Sequence, residues 1–284
     1  GANMDPKGKI VVITGATSGL GKATAIDLAK RGARVFVVGR DAARANETLE
    51  EIKQAGGGGE VILGDVSTVA GARTLARAIL EKAPRIDVLI NNAGGTFKTE
   101  SKTSEGIETT FALNTLGAFV LEKELHGALA AAKGRIVNVA TGFLNSFPVD
   151  VDDLVAPKKY GGTAQYGRSK QASVMMTVEQ ARRYAADGVT AVSIHPGIIM
   201  GTRFGGGQPK AMQMIAGPIM RLVGLACTLE EAQRRFFVAA FGDVPNGSYI
   251  VNGKPAELPK QVKDEAVRTK VYALLEKLAA PRAA

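Results

Sequence analysis

The chain has 284 residues, 45% apolar and 22% charged, a globular balance that excludes disordered, collagen-like and mucin-like chains. A single cysteine, Cys227, excludes an internal disulfide, and with only His126 and His195 beside it no Cys/His zinc cluster can form. The net charge of +9 raises a nucleic-acid reading, but the cations are interleaved with acids, as in Arg44, Glu47, Glu50, Glu51 and Lys53, without any basic–aromatic run. A solvated surface that attracts anionic small molecules is the expectation, with no nucleic-acid partner.

The length is compatible with two domains, yet α/β sheets of this size often form one, and no linker or internal repeat divides the chain. One domain over residues 1–284 is expected. Gly1–Asn3 read as a remnant of expression ahead of Met4 and carry no fold information. No apolar leader segment is visible in GANMDPKGKI. The longest apolar stretch, 211–227, is interrupted by Gln213, Pro218 and Arg221, so no membrane span is expected. A cytoplasmic setting fits the scarcity of cysteine.

In chain order, Ile10–Thr14 predicts a strand and Lys22–Arg31 a helix stopped by Gly32. Val35–Val38 is a strand, and Asn46–Gln54 a helix ending at the Gly56–Gly59 quartet, read as a flexible surface turn. Val61–Leu63, Val88–Ile90, Arg135–Ala140, Val189–Ile194 and Tyr249–Val251 follow as strands. Gly71–Lys82, Glu105–Leu129 and Ala164–Asp187 read as helices. Apolar strands alternating with helices predict an α/β fold, a Rossmann-type doubly wound parallel sheet with helices on both faces. Residues 200–225, with Phe204, Met212, Met214, Ile215 and Met220, suit an apolar substrate lid or an ordinary helical hairpin.

The strand-to-helix junction Thr14-Gly15-Ala16-Thr17-Ser18-Gly19-Leu20-Gly21 carries chemistry. Glycines admit a diphosphate close to the backbone, where exposed N–H groups and the helix dipole meet its charge. The spacing is G-x-x-x-G-x-G. The second strand then ends in Gly39-Arg40 with no acid before Asp41. Arg40 suits a 2′-phosphate, with Arg44 as a second cation, so NADP(H) is the expected cofactor.

The sequence resembles the short-chain dehydrogenase/reductase family. The resemblance rests on that glycine pattern, Asp65-Val66, Asn91-Asn92-Ala93-Gly94, Asn114, Tyr166-x-x-x-Lys170 and Pro196-Gly197, in the family's order. It implies a hydride-transferring oxidoreductase acting on a carbonyl or alcohol. Tyr166 would be the general acid/base, Lys170 would lower its pKa and hold the nicotinamide ribose, and Asn114 would hold a water in the proton relay. Thr141 stands where the family carries serine and would orient the substrate oxygen. By the same resemblance Asp65 and Val66 would meet adenine, Asn92, Ala93 and Gly94 the adenosine ribose, and Pro196, Gly197, Ile199 and Thr202 the nicotinamide. Thr141 and Tyr166 lie further apart than in compact members. The Phe147-Pro148-Val149-Asp150 stretch, Asn138 and Tyr166-Gly167-Arg168-Ser169-Lys170 resemble the retinol-dehydrogenase-like branch.

Several features are read as structural. His195 is expected to pack at a strand end and His126 to sit on a helix surface. Asp152-Asp153 lack companion ligands, so no metal is expected. The substrate is expected to be hydrophobic and the chain a monomer or homodimer. Two other readings differ in class: a non-catalytic NADP(H)-binding sensor, supported by the missing serine, and an RNA-binding protein, supported by charge alone.

Overall fold

The computed structural model describes residues 4–199 and 226–281. β1 (Ile10–Thr14), α1 (Gly19–Lys30), β2 (Arg34–Gly39), α2 (Ala42–Gln54), β3 (Gly58–Leu63), α3 (Val69–Lys82) and β4 (Val88–Asn91) form the first half. Then come α4 (Thr109–Phe111), a π-helical turn over Ala112–Leu116, α5 (Gly117–Glu124), α6 (His126–Ala132), β5 (Arg135–Val139), α7 (Gly162–Tyr184) and β6 (Thr190–His195). The rest is β7 (Ile198–Ile199), β8 (Ala226–Cys227), α8 (Leu229–Phe241), β9 (Tyr249–Val251), β10 (Lys254–Ala256), α9 (Lys260–Lys263) and α10 (Glu265–Ala279).

The main sheet has the order β10-β9-β6-β5-β4-β1-β2-β3. All its neighbours are parallel except the β9–β10 hairpin at one edge. The strand alternation explains why it needs helices on both faces. Val11, Ile13, Val35, Val37, Val192 and Ile194 pack on one side with Leu28 of α1 and Phe236 of α8. Val12, Phe36, Leu89, Ile136 and Ala191 pack on the other with Leu75 of α3 and Leu121 of α5. A strand buried on both sides reads as a continuous apolar run, which is what the sequence shows. This is the doubly wound Rossmann-type sheet expected. Its winding reverses between β1 and β4, and the crevice at their carboxyl ends is where such sheets take ligands.

Boundaries differ in instructive places. The last two glycines of the quartet, Gly58 and Gly59, open β3 instead of forming a loop. A Cβ on Gly59 would lie 2.2 Å from the Val35 carbonyl oxygen, so the close strand pairing requires glycine there. α1 begins at Gly19, so the second half of the glycine pattern is helical. α2 begins at Ala42 because the Asp41 side chain caps it, accepting from the Arg44 N–H at 3.0 Å. The long helix predicted from residue 105 is interrupted by the π-turn. The expected lid, 200–225, and Gly1–Asn3 lie outside the described residues.

Beneath the sheet a fully buried acid, Glu122 of α5, is held by neutral groups alone. Asn91 Nδ2 donates to Oε1 at 3.0 Å and Gln180 Nε2 to Oε2 at 2.8 Å. Asn91 also donates to Asn138, and Asn138 to Thr177. Burial pushes the Glu122 carboxyl up to about 7, against the pull of the Asn138, Gln180 and Asn91 amides.

The folded-state pKa thus lies above the ordinary 4.5, so the contribution of this acid is full below 4.5 and is lost as pH rises through 7. The loss amounts to about 3 kcal/mol. Glu122→Gln, which imitates the protonated acid, should remove that slope. Urea unfolding of both proteins at pH 5 and pH 8 checks it: parallel pH dependences would refute the assignment.

Candidate active site

The crevice between β1 and β4 is built by backbone groups that approach unusually closely. The Thr14 hydroxyl accepts from the N–H groups of Asn92 and Ala93, both at 3.0 Å, and Asn92 Nδ2 donates to the Gly15 carbonyl at 3.1 Å. These bonds lock the β1–α1 loop to the β4 loop. Gly15 has φ +63°, and a Cβ there would meet the Ala93 backbone at 2.9 Å. Gly21 is tighter: its Cβ would lie 2.1 Å from the Gly15 carbonyl oxygen. Ser18, the N-cap of α1, makes no side-chain cap bond, so the first N–H groups of that helix depend on other partners.

A cleft of about 250 Å³ lies along this junction. Gly15, Thr17, Ser18, Arg40, Arg44, Asp65, Val66, Asn92, Ala93 and Gly94 line it, all of them anticipated from sequence. Thr14 and Gly39, from the same two motifs, line it as well, and Val38, Gly64 and Leu113 line it too and were not anticipated. Gly19, Leu20 and Gly21 stand next to it in the first turn of α1. Arg40 and Arg44 are exposed. Asp41 is spent on the α2 cap. Asp65 Oδ1 accepts from the Ser67 N–H at 2.9 Å, turning the chain after β3. The Val66 carbonyl is pressed against α5, where a Cβ on Gly117 would come within 1.9 Å of it.

Beyond the cleft, at the carboxyl ends of β5 and β6, lie the residues expected to do chemistry. Lys170 is buried, and its Nζ donates to the Val139 carbonyl at 2.8 Å. It stands 5.8 Å from the Tyr166 ring centroid, one helical turn back along α7. The Thr141 hydroxyl faces the Tyr166 phenol and favours its ionised form. The Thr141 carbonyl in turn accepts from Tyr249 Oη at 2.6 Å, which fixes the turn after β5.

Asn114 occupies the π-turn, a local widening of the helix that often marks functional positions. Its Oδ1 accepts from the Gly95 N–H at 2.8 Å, while Nδ2 donates to the Gly95 carbonyl at 2.9 Å and to Ser169 Oγ at 3.0 Å. The Asn114 carbonyl accepts from Ser173 Oγ at 3.1 Å. The side chain expected to hold a water is therefore engaged by backbone and hydroxyl partners. Ser169, absent from the expected site residues, donates to the Tyr166 carbonyl at 2.7 Å and so ties Asn114 to the helix of Tyr166 and Lys170. Its signal was its place inside Tyr166-Gly167-Arg168-Ser169-Lys170.

Burial pushes the Tyr166 phenol above its ordinary 10, with the Thr141 hydroxyl opposing. Lys170 is itself lowered to about 8 by burial. At neutral pH the pair is a protonated phenol beside an ammonium.

Pro196 and Gly197 follow β6. The Pro196 carbonyl accepts from Arg235 Nη1 at 3.0 Å and Cys227 Sγ at 3.4 Å, and Gly197 takes φ +93° where a Cβ would strike Arg235 Nη1. Ile199 is buried in β7, and Thr202 lies outside the described residues. His195 is buried, packs by its Nε2 edge against Gly142, and is lowered to about 4 by burial and then by Arg235. It is a neutral strand-end residue, as read. His126 is half-buried against the Tyr184 ring, with Nε2 3.1 Å from Asp187. Among the described residues no cluster of three metal-ligating side chains occurs, and no helix is long and apolar enough to cross a membrane.

Gly94 joins the two halves of the site. It lines the cleft, and a Cβ there would lie 2.9 Å from Asn114 Oδ1 and 3.3 Å from Lys170 Nζ. The cradle of glycines, an uncapped helix start and two exposed arginines fit a dinucleotide that runs along the cleft towards Lys170 and Tyr166.

With this arrangement and a family model, short chain dehydrogenase, that matches residues 9–212, the chain belongs to the short-chain dehydrogenase/reductase family, in its retinol-dehydrogenase-like branch. It is thus an oxidoreductase of a family that binds a nicotinamide dinucleotide. It is 37% identical to retinol dehydrogenase 14 of Mus musculus over 287 aligned positions, covering 95% of this chain and 85% of that one. The Pseudomonas aeruginosa RhlG/NADP active-site complex superposes with a TM-score of 0.69 at 27% identity, covering 86% of this chain and 94% of that one. A 7 alpha-hydroxysteroid dehydrogenase complexed with NADH and 7-oxo glycochenodeoxycholic acid shares the fold, with a TM-score of 0.71 at 23% identity and coverage of 90% and 98%.

Gly21→Ala should weaken dinucleotide binding at least about 100-fold, because the new methyl group forces apart the two loops that form the cradle. Titration of nucleotide fluorescence, with circular dichroism to show an intact fold, checks this. Unchanged affinity would remove the cradle from the binding site.

Proposed function

We propose that the chain, acting as one domain, is an NADP(H)-dependent oxidoreductase that interconverts a hydrophobic carbonyl compound and its alcohol. The observation that carries the reading is the shared wall at Gly94, with the glycine-lined cleft on one side and Lys170 on the other. When bound, the nicotinamide supplies hydride to the carbonyl carbon or takes it from the alcohol.

The proposed contacts follow the fold. Gly15, Thr17, Ser18, Gly19, Leu20 and Gly21 hold the diphosphate through backbone N–H groups and the start of α1. Asp65 and Val66 take the adenine end, and Asn92 and Ala93 with Gly94 its ribose. Pro196, Gly197, Ile199 and Thr202 flank the nicotinamide end. Lys170 orients the nearer ribose, held in place by the Val139 carbonyl. Arg40 and Arg44 sit exposed on the cleft rim while Asp41 is occupied as a cap, which favours a 2′-phosphate over a free ribose hydroxyl.

Tyr166 is the proton donor in reduction. Its raised pKa keeps the phenol protonated at neutral pH, the state that can donate to a carbonyl oxygen. Thr141 shares that oxygen through its hydroxyl, in the place the family gives to serine. Asn114 and Ser169 act behind Tyr166 by fixing α7 against the π-turn. The hydrophobic substrate is supported by the similarity to retinol dehydrogenase 14 and by Phe143, which is 63% exposed two residues beyond Thr141. A reducing, cytoplasmic setting accords with one free, buried cysteine.

Tyr166→Phe should lower kcat for carbonyl reduction by roughly 100-fold or more while NADPH binding persists. Thr141→Ala should also lose turnover and Thr141→Ser should keep it. Steady-state NADPH oxidation with a panel of ketones and aldehydes is the measurement, and full activity in Tyr166→Phe would reject the mechanism.

Arg40→Asp should shift the NADPH/NADH ratio of kcat/KM towards NADH by about 10- to 100-fold, the worth of one charge-assisted contact. An unchanged ratio would show that Arg40 does not read the 2′-phosphate.

A further inference from the structure

The loop between β5 and α7 borders the Tyr166 end of the site, but its shape is set largely by other elements. Leu144, Val149 and Leu154 anchor it in the apolar cluster shared with α7 and α10. Its backbone is held by two glutamines. Gln171 of α7 donates through Nε2 to the Phe147 carbonyl at 2.6 Å. Gln261 of α9 engages Val149 from both sides: its Oε1 accepts from the Val149 N–H at 2.7 Å, and its Nε2 donates to the Val149 carbonyl at 3.0 Å. A carboxamide that satisfies both polar groups of one residue does what a neighbouring strand would do. Alongside it, Asn145 Oδ1 accepts from the Lys260 N–H at 2.8 Å.

The clamp reaches the chemistry through a contact that has no slack. The Phe147 ring lies on Gly167, the residue after Tyr166, where a Cβ would sit 2.1 Å from Phe147 Cγ. The loop therefore bears directly on the backbone of α7 beside Tyr166, and Thr141 lies at its start. Gln261 itself is far along the chain from the loop it holds, 112 residues after Val149.

We propose that Gln261 is a specificity-determining positioning residue: by clamping Val149 it fixes the β5–α7 loop as a wall beside Thr141 and Tyr166, and so sets how bulky a carbonyl or alcohol the site accepts. The inference rests on the oxidoreductase reading above. Gln261 touches neither Thr141 nor Tyr166 by hydrogen bond and acts through Val149 and Phe147.

The test compares the full-length wild type with Gln261→Ala and Gln261→Glu. Three quantities are read: hydrogen exchange at the Val149 amide, NADPH affinity, and KM and kcat for a short-chain and a fused-ring ketone. Gln261→Ala should expose the Val149 amide and change the fused-ring/short-chain KM ratio roughly tenfold, the scale of two released neutral hydrogen bonds, with NADPH affinity unaltered. Gln261→Glu sets an acceptor oxygen against the Val149 carbonyl where the donor was, so it should release the loop at least as far as Gln261→Ala, and a wild-type KM ratio in both variants counts against the proposal. A wild-type KM ratio in Gln261→Ala despite an exposed Val149 amide would overturn the proposal and leave a purely structural clamp. Unchanged Val149 exchange would overturn it at the clamp itself. If the wild type turned over no ketone while Val149 responded as expected, the oxidoreductase reading would fall, and the specificity role with it.

Discussion

A buried ammonium tied to the end of a strand organises this molecule's chemistry. Lys170 Nζ is removed from water and donates to the carbonyl of Val139, the last residue of β5. Burying a cation is costly unless it is hydrogen-bonded, so this bond constrains where α7 can lie along the sheet. With α7 fixed at that height, Tyr166 one turn earlier comes close to Thr141, in the turn just after that strand. The wall towards the cleft must then be free of a side chain, because Gly94 already approaches Lys170 Nζ and Asn114 Oδ1. Helix position, hydroxyl contact and bare wall are consequences of one constraint.

A second layer keeps the first from relaxing. The π-turn at Ala112–Leu116 shifts the helical pattern and is joined to α7 in both directions: Ser173 of α7 donates to the Asn114 carbonyl, and Thr115 of the π-turn donates to the Ser169 carbonyl at 2.7 Å. Thr177 in turn bonds Ser173 and receives Asn138, which reaches Asn91 and Glu122 under the sheet. The face of α7 opposite the apolar core is thus polar, buried and almost wholly satisfied. In a low-dielectric interior such a network favours one arrangement of its members over many.

Much of this was legible in the sequence. The strands of the sheet are apolar runs between helical patterns, and the glycine junction, Asn91–Gly94, Tyr166 and Lys170 stand at their ends, where a doubly wound sheet presents its ligands. What stayed hidden had little local signal. β10 is the exposed Lys254-Pro255-Ala256, an edge strand with a proline and no apolar alternation. Gly58 and Gly59 looked like a loop because glycine is scarce in strands, yet Gly59 is needed there for close approach to Val35. The π-turn keeps the apolar spacing of an ordinary helix. The burial of the Tyr166 phenol could not be read either, since spacing places a lysine near it but does not reveal how far both are removed from water.

The least legible feature is how far the C-terminal arm determines the site. Glu179, fully buried on α7, joins Arg182 and Arg183 of its own helix to Arg268 of α10 at 2.9, 3.3 and 3.1 Å. Tyr272 packs edge-on against Phe119 and under the Arg183 guanidinium, and its hydroxyl donates to Gln180 Oε1 at 3.2 Å. A buried carboxylate needs its charged partners, and Arg268 supplies one of them from α10, so the pair ties the two helices together. α10 is therefore bound to α7 through charge, ring and amide contacts together. Because α9 precedes α10 directly and carries Gln261, the same docking that secures the end of the chain also delivers the carboxamide to Val149. Nothing in the local sequence of either segment announces this, since the glutamine and the valine it holds are brought together only by packing against α7.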